Sequence, residues 1–317
     1  MHYPDDRLDS YDGVIGRIDE DFYNEALKFN KPIVNVWANS PCRNELTTIT
    51  PDFIKTGEMA ANHFLERNLE NFGILRAGGE ITGEALSKGF QKRLKSRGFT
   101  ASECIIPLQF EEKKSTWNET MDIFDRWLQK QNCPFGVLIF QDILANVFSK
   151  YCMQRKGINI PYDAAICSVG NHLEICEDPT MPLTSIDVNY IRVGYEAARM
   201  MDRMITMNER GIENILVQPK ELVTRQSSDV VAIKDLKVSE ALNFISTNIS
   251  SPLQVCDVSN AIKVSRRTLE RRFKDILGRT VADQIGYLRL QQLKKLLIST
   301  EMPAKDLVYQ CGFSNYT

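Results

Sequence analysis

Short apolar runs alternate with longer segments of helical periodicity up to about residue 230 of the 317-residue chain. The runs GVIGRI, PIVNVW, TITP, NFGILR, CIIPLQ, FGVLIF and AAICSV are bounded by Gly, Pro, Asn or charged residues, which is typical of buried strands. Helical spacing recurs between them in Phe53–Asn68, Glu84–Arg97, Ser115–Lys130, Ile143–Lys156 and Tyr190–Asn208. This repeated order of strand and helix predicts an α/β architecture with parallel sheets flanked by helices.

The strand signals stop between Thr224 and Asp235, and every apolar pattern from Ser239 onward is helical. A chain of this length with 43% hydrophobic residues can build one large core or two ordinary ones. We therefore predict an α/β domain over residues 1–229 and an all-α domain over residues 235–317.

The helical part contains two short segments of similar sequence. The segments DVSNAIKVSRRT and DLVYQCGFSNYT, residues 257–268 and 306–317, align without gaps. Each predicts a helix, a short turn and a Ser N-cap that opens a second helix, which is the order of a helix-turn-helix unit. The second turn contains Gly312, whereas the first has Lys263, for which a left-handed backbone costs about 1 kcal/mol. We therefore expect the first turn to be longer or less tight.

The segment SRRTLERRFK, residues 265–274, holds four arginines and one lysine. On a helical wheel, Arg267, Arg271 and Lys274 lie opposite the apolar stripe, and Arg266 and Arg272 flank that stripe. Outward arginines can pair with guanine in the major groove, and a glutamate can accept from cytosine. This pattern predicts a double-stranded DNA partner, with candidate contacts at Ser265, Arg266, Arg267, Glu270, Arg271, Arg272 and Lys274.

The formal charge of −2 is unevenly distributed along the chain. From Lys234 onward there are 13 Lys and Arg against 8 Asp and Glu, so a basic tail follows an acidic body. This distribution favours a nucleic-acid partner for the tail alone. The alternative is that the arginine-rich helix face is only solvated.

What the sequence lacks disfavours several classes of protein. No apolar run reaches the roughly 18 to 20 residues of a membrane span, and the amino terminus does not resemble a signal peptide. We therefore expect a cytoplasmic protein with no membrane association. The eight cysteines show no C-x-x-C spacing, which favours reduced, buried thiols. No catalytic or metal-binding motif is found, so we expect no enzyme activity, no metal and no cofactor.

Residues 258–315 resemble the DNA-binding module of AraC-type transcription regulators, in which one long helix joins two helix-turn-helix units. The F-K-x-x-x-G-x-T run and the C-G-F-S-N ending carry this resemblance. It implies base contacts at Arg267, Glu270 and Arg271, and further DNA contacts at Asn315 and Tyr316 in the second recognition helix. Because the sequence stops at Thr317, we expect the second unit to be incomplete.

The α/β part resembles the two-lobed, periplasmic-binding-protein-like effector domain of LacI-type repressors. The stretches TPDFIKTGEMAANHFLERNLENFGIL, GVLIFQDILANVF and AAICSVGNHLEICEDPTMPLTSIDVNYIRVGYEAARMM carry the resemblance. Joined to an AraC-type module, it is similar to the xylose-operon activator class of bacterial regulators. The resemblance implies a homodimer, a small-molecule effector such as a sugar between the lobes, and RNA polymerase as a candidate partner. The opening βα unit is not found before DGVIGRI, so we expect an incomplete first lobe.

Two residues depart from the sugar-binding pattern of that family. Leu86 stands where the R-x-x-G-F pattern has Arg, and Gly170 stands where the V-D-N pattern has Asp. Each loss removes a charged hydrogen-bonding group, whose bond is worth about 1.5–3 kcal/mol. Ligands of open parallel sheets bind off the carboxyl ends of strands. The candidate effector-binding residues are Asp52, Phe53, Trp117, Asp142 and Asn171. Helix N-capping is the alternative role for Asp142 and Asn171, and packing is the alternative for the two aromatic residues.

The favoured hypothesis is a sequence-specific DNA-binding transcription regulator controlled by a small-molecule effector. An alternative from another class is a small-molecule binding protein or enzyme whose helical tail only mediates oligomerisation. A third hypothesis keeps DNA binding but holds that the cleft has degenerated and binds no ligand, because Leu86 and Gly170 replace charged groups.

Overall fold

The computed structural model describes residues 11–107, 114–178, 180–208, 211–229, 235–299 and 302–313. The strands are β1 (Val14–Gly16), β2 (Ile33–Asn35), β3 (Thr47–Pro51), β4 (Asn71–Ala77), β5 (Ala101–Ile106), β6 (Phe135–Ile139), β7 (Ala164–Val169), β8 (Thr184–Asp187), β9 (Asn214–Val217) and β10 (Glu221–Val223). The helices are α1 (Glu20–Ala26), α2 (Phe53–Glu66), α3 (Ile81–Lys95), α4 (Lys114–Leu128), α5 (Asp142–Arg155), α6 (Leu173–Cys176), α7 (Tyr190–Thr206), α8 (Leu236–Thr247), α9 (Val255–Ala261), α10 (Arg266–Leu277), α11 (Val281–Ser299) and α12 (Ala304–Gln310), with a 3-10 turn at Leu27–Phe29. Within these ranges, no helix has the length and apolar character needed to cross a membrane.

The first sheet has the strand order β1-β2-β3-β9, and all of its neighbouring strands are parallel. Helix α7 packs on this sheet around a core that includes Val34, Ile49 and Met200. We call this part of the chain lobe A. Strands β1, β2 and β3 coincide with predicted apolar runs, whereas β9 was not predicted, because its residues are half exposed and show no continuous apolar pattern.

The second sheet has the strand order β10-β8-β7-β6-β4-β5. Its neighbouring strands are parallel except β10, which runs antiparallel to β8. Phe64, Phe90, Phe124 and Phe148 are fully buried in its core. We call this part lobe B. The predicted parallel sheets flanked by helices are therefore confirmed, and burial on both faces explains why β6 and β7 read as continuous apolar runs.

The chain crosses between the lobes at three adjacent places. Asp52 lies at the crossover from β3 to α2, where its Oδ1 accepts a hydrogen bond from the Lys55 amide at 2.9 Å and caps the helix. Its Oδ2 accepts from Gln218 Nε2 at 3.1 Å, at the crossover from β9 to β10. The Gln218 carbonyl in turn accepts from Asn189 at 3.4 Å, at the crossover from β8 to α7. These bonds join the three crossovers into one hinge.

The eight cysteines are all free thiols. Six of them are buried, as expected from their apolar surroundings. The expectation is wrong for Cys133 and Cys256, which are exposed: Cys133 lies in the loop between α4 and β6, and Cys256 lies in the first turn of α9. Burial raises the pKa of Cys104 and Cys152 to about 12, so both thiols stay protonated at neutral pH.

The residues after Asp235 are helical, as the sequence predicts. Helices α8, α9 and α10 enclose a core that includes Val258, Leu269 and Phe273. The 19-residue helix α11 then leads to α12. One long helix therefore separates the pair α9 and α10 from the corresponding second unit that begins with α12.

The two turns that follow α9 and α12 have the same backbone geometry. Lys263 adopts φ 56° and Gly312 adopts φ 75°, so both lie in the left-handed region. The amide of Val264 donates to the Ser259 carbonyl at 3.0 Å, and 49 residues later Phe313 donates to Val308 at 3.2 Å. The expectation of a longer or less tight first turn is therefore wrong, because Lys263 itself adopts the left-handed backbone conformation that the tight turn requires.

A matched pair of substitutions tests why only one turn has glycine. A Cβ at Gly312 would lie 2.7 Å from the carbonyl oxygens of Ile249 and Ser251, so Gly312→Ala should destabilise the helical module by about 2–4 kcal/mol. Lys263 is exposed. Lys263→Gly relieves the left-handed strain but adds chain entropy, and it should change stability by less than about 1 kcal/mol. Hydrogen exchange of the module's amides measures both effects, and equal destabilisation by the two changes would refute this explanation.

A buried histidine anchors the end of lobe B, just before the helical module. His63 Nε2 lies 2.6 Å from Ser228 Oγ, and Arg67 Nε donates to the Ser228 carbonyl at 2.8 Å. Burial, together with the charge of Arg67, lowers the pKa of His63 to about 3. His63 is therefore neutral in the folded protein at neutral pH.

This lowered pKa predicts a loss of stability in mild acid. Below about pH 6.5 the unfolded chain binds a proton at His63 that the folded chain does not bind until about pH 3. Stability should therefore fall by about 1.4 kcal/mol per pH unit below that point. In His63→Gln this slope, followed as melting temperature against pH, should disappear, whereas it should persist in His172→Gln, whose side chain is exposed. An unchanged slope in His63→Gln would contradict the assignment.

Candidate nucleic-acid interface and effector cleft

Helix α10 is held in the module by one face. Leu269 and Phe273 lie one turn apart and are fully buried. The Ser265 hydroxyl caps the helix by accepting from the Thr268 amide at 3.2 Å. The predicted apolar stripe and N-cap are therefore confirmed, and the opposite face of the helix is left open to solvent.

That open face carries four exposed cationic side chains. They are Arg266, Arg267, Arg271 and Lys274. In the part of the chain that the structure describes, none of the four forms an ion pair or a side-chain hydrogen bond. The face therefore presents free positive charge along the length of α10, from Arg266 at its first residue to Lys274 in its last turn.

Arg272 and Glu270 instead bond α10 to the neighbouring helices α8 and α11. Arg272 Nη1 donates to both carboxylate oxygens of Asp235, the N-cap residue of α8, at 2.9 and 2.7 Å. Glu270 Oε2 accepts from the amide of Val281, the first residue of α11, at 3.1 Å. A contact of either side chain with DNA would require it to share or leave these partners.

The second helix-turn-helix unit is described up to Phe313. Asn315 and Tyr316, the further candidate DNA contacts, lie outside the described residues. Arg289 of α11 holds this unit to the first, because its guanidinium donates to the Ser251 carbonyl at 2.9 Å and lies 5.9 Å from the Phe313 ring centroid. The orientation of the second unit is thus linked to the loop before α9.

A cleft of about 500 Å³ lies between lobes A and B. Several of its walls follow the carboxyl ends of strands, as expected for ligand sites in open parallel sheets. Of the five candidate effector-binding residues, Phe53 and Asp142 line the cleft.

Asp142 organises the lobe B wall of the cleft. It is 1% exposed, and its Oδ1 accepts from the Ser168 and Ser185 hydroxyls at 2.5 and 2.6 Å. Its Oδ2 accepts from the His172 amide at 2.9 Å and lies 2.8 Å from His172 Nδ1. Because protein donors occupy both oxygens, Asp142 acts chiefly by orienting the imidazole of His172 in the cleft.

The other three candidates lie away from the cleft lining. Asp52 is in the hinge, where it caps α2. Asn171 has φ 55°, and its Oδ1 accepts from Arg225 Nη1 at 3.0 Å. Trp117 lies on α4 with 42% of its surface exposed. In the sequence alone, a polar residue that caps a helix or an aromatic residue that packs on its neighbours looks the same as one that lines the cleft.

The two departures from the family pattern have local structural reasons. Leu86 is 1% exposed and packs in the core of lobe B while also lining the cleft. Gly170 has φ 129°, and a Cβ there would lie 2.7 Å from His172 Nδ1 and 2.8 Å from Asp142 Oδ2. A side chain at position 170 would therefore displace the imidazole that occupies this space.

Several cleft residues were missed in the sequence. Arg17 follows β1, and its Cζ lies 4.8 Å from the centroid of the Trp37 ring, which follows β2. Glu80 lies at the start of α3, and burial raises its pKa although the charge of Arg17 acts against this. Asn39 of lobe A joins Thr82 of lobe B, since its Oδ1 accepts from the Thr82 amide at 3.1 Å. Arg17 and Trp37 follow the ends of β1 and β2, so the rule that ligands lie off strand ends is the sequence signal that identifies them.

The helical module contacts lobe B directly. Gln284 Nε2 of α11 donates to the Tyr162 hydroxyl at 2.8 Å, and the Tyr162 ring packs against the module's core. Burial raises the pKa of Tyr162, which keeps its hydroxyl protonated. This contact gives a physical connection between the effector lobe and the helix that follows α10.

Comparison with known proteins extends over nearly the whole chain. Residues 61–228 match the family of periplasmic binding protein-like domains, and residues 258–317 match a helix-turn-helix domain family. The xylose operon regulatory protein of Escherichia coli K12 is 24% identical over 311 residues, which cover 95% of this chain and 78% of that protein.

Solved structures share the fold. The structure of the xylose-binding transcription activator xylR aligns with a TM-score of 0.72 and 22% identity, covering 96% of this chain and 80% of that one. A LacI family regulator from Enterococcus faecium with bound ribose aligns over 70% of this chain and 81% of its own, with a TM-score of 0.56 and 20% identity.

The domain matches favour a DNA-binding role for the helical tail over the alternative of an oligomerisation tail, in agreement with the free cations of α10. The chain belongs to the periplasmic-binding-protein-like family, and its AraC-type helix-turn-helix module makes it a DNA-binding transcription regulator with an effector domain.

Proposed function

We propose that this chain is a cytoplasmic, homodimeric transcription regulator without enzymatic activity, in which a sugar bound between lobes A and B controls the DNA-binding module and its action on RNA polymerase. The effector domain spans residues 1–229 and the DNA-binding module spans residues 235–317. The observation that carries the proposal is the row of unpaired cations on the open face of α10. RNA polymerase and the second subunit are expected partners.

The open face of α10 suits the major groove of DNA. Arg267 and Arg271 are four residues apart and therefore project from the same side of the helix. Each can donate two hydrogen bonds to guanine O6 and N7, which contributes about 1–3 kcal/mol of base discrimination. Arg266 and Lys274 can reach phosphates, which supplies salt-dependent affinity. The two helix-turn-helix units would enter successive major grooves about 34 Å apart.

Removing the two central arginines tests this assignment. The DNA probe is a duplex selected from a random library by the unaltered full chain. Arg267→Ala with Arg271→Ala should weaken binding to that duplex at least about 30-fold, because two bidentate base contacts are lost. Fluorescence anisotropy measures the affinity.

A charge-matched control separates base contacts from general electrostatics. Lys95→Ala with Arg97→Ala removes two exposed cations from lobe B and should change the affinity less than about threefold. Equal affinities of the α10 double variant and the unaltered chain would refute the DNA-binding role of this face.

The names of the relatives indicate the effector class. One similar structure is described as xylose-binding and another contains bound ribose. The cleft has the size for such a ligand, since small-molecule sites commonly span about 300–1,000 Å³. We therefore propose a sugar of this size as the effector, in preference to a degenerate cleft.

The contact between Tyr162 and Gln284 offers a route from the cleft to DNA. Lobe B carries both Asp142, which lines the cleft, and Tyr162, which contacts α11. A ligand that changes the arrangement of the lobes therefore also moves the surface on which α11 packs. An effector can shift the equilibrium only as far as its affinities for the two arrangements differ. The module would then adopt a different position in the dimer with and without ligand.

A double-mutant cycle tests whether this contact is formed in solution. Tyr162→Phe and Gln284→Ala each remove one partner of the hydrogen bond. The two effects on the free energy of unfolding should be non-additive by about 0.5–1.5 kcal/mol. Tyr195→Phe, a change of an exposed tyrosine in lobe A, should be additive with Gln284→Ala. Additivity in the Tyr162 cycle would show that the contact does not couple the module to lobe B.

A further inference from the structure

The cleft retains charged groups although the family positions have lost them. Leu86 offers no hydrogen bond, and the place of a carboxylate at position 170 is taken by His172. The remaining buried carboxylate, Asp142, already accepts from protein donors on both oxygens. A ligand that needs charged hydrogen-bonding partners must therefore find them elsewhere in the cleft.

Arg17 and Glu80 are the charged side chains of the lining that remain uncommitted. The Arg17 guanidinium lies over the Trp37 ring and makes no ion pair with any residue that the structure describes. Glu80 is half-buried at the N-cap position of α3, yet its side chain accepts no capping hydrogen bond. Burial of a carboxylate without hydrogen-bond donors is costly, and a bound ligand with donor groups would relieve this cost.

The two side chains come from opposite lobes. Arg17 follows β1 in lobe A, whereas Glu80 precedes α3 in lobe B. The lobes already meet beside them, where Asn39 accepts from the Thr82 amide two residues after Glu80. A ligand bound by both Arg17 and Glu80 would therefore bridge the lobes and favour the arrangement in which they are close.

The charge of this pair selects the class of ligand. One positive and one negative group cancel, which disfavours a ligand with net charge. The rest of the lining holds Asp142 and His172, which are bonded to each other, and otherwise apolar, aromatic or neutral polar side chains, including Phe53, Phe140 and Gln141. Hydroxyl groups can both accept from a guanidinium and donate to a carboxylate, and the apolar face of a sugar ring packs on aromatic side chains.

We propose that Arg17 and Glu80 are effector-binding residues that hold a neutral polyhydroxy ligand across the two lobes, in place of the charged pair that the family pattern has at positions 86 and 170. This inference rests on the proposed function of the cleft as a sugar site. In this arrangement Arg17 of lobe A donates to the ligand and Glu80 of lobe B accepts from it. The bound ligand therefore connects the two lobes.

Calorimetric titration of the full chain with D-xylose, D-ribose, L-arabinose, D-glucose and xylitol tests the proposal. For any compound that binds, Glu80→Gln and Arg17→Gln should each weaken affinity about tenfold or more, because each removes a charge-assisted hydrogen bond. Glu84→Gln and Lys28→Gln, exposed changes of the same charge in lobes B and A, should alter affinity less than about twofold. Binding of each variant to the selected DNA duplex shows that the chain is folded.

The outcomes separate this inference from the proposed function. If a sugar binds and the Arg17 and Glu80 variants retain its full affinity, the assignment of these residues is overturned while the sugar site stands. If none of these compounds binds, or amino acids bind instead and the same variants weaken them, the polyhydroxy class is overturned. DNA binding by the unaltered chain is measured separately, so its loss would count against the regulator and not against the ligand.

Discussion

Burial of Leu269 and Phe273 is the constraint on which the open, cationic face of α10 depends. A helix with one apolar stripe can bury only that stripe, so fixing it in the core of α8, α9 and α10 also fixes which side chains remain in water. The Ser265 hydroxyl, which caps α10, and the ion pair of Arg272 with Asp235 add polar contacts that favour the same orientation of the helix. The cations that result are held in one direction by apolar packing behind them.

The sequence predicted this surface well because it depends on local patterns. Helical periodicity and an N-cap serine are properties of a dozen consecutive residues, and the structure confirms both. The roles of Glu270 and Arg272 could not be predicted in the same way, because their partners Val281 and Asp235 come from neighbouring helices. The conformation of Lys263 was also missed, since its strain is tolerated only because the surrounding turn is already fixed by the packing of both helices.

The effector cleft was harder to predict than the fold around it. Apolar runs identified β1 to β7, but β8 is largely polar in sequence, and β9 and β10 are short and half exposed, so these three strands gave no signal. Of the candidates chosen after strand ends, Phe53 and Asp142 line the cleft, whereas Asp52 lies in the hinge and caps α2. Capping residues and ligand-binding residues are of the same polar types, so only the three-dimensional partners distinguish them.

The two halves of the molecule are connected through lobe B, which carries the cleft wall around Asp142 and the tyrosine that meets α11. The account depends most on the claim that the open face of α10 reads base edges in the major groove. Methylation interference at guanine N7, on a duplex bound by the full chain, tests this directly because N7 lies in that groove. The account predicts interference at guanines in two major-groove segments about one helical turn apart, with one guanine losing its effect when Arg267 or Arg271 is replaced by alanine. Absence of interference would contradict the account. So would an interference pattern that both single variants share with the unaltered chain.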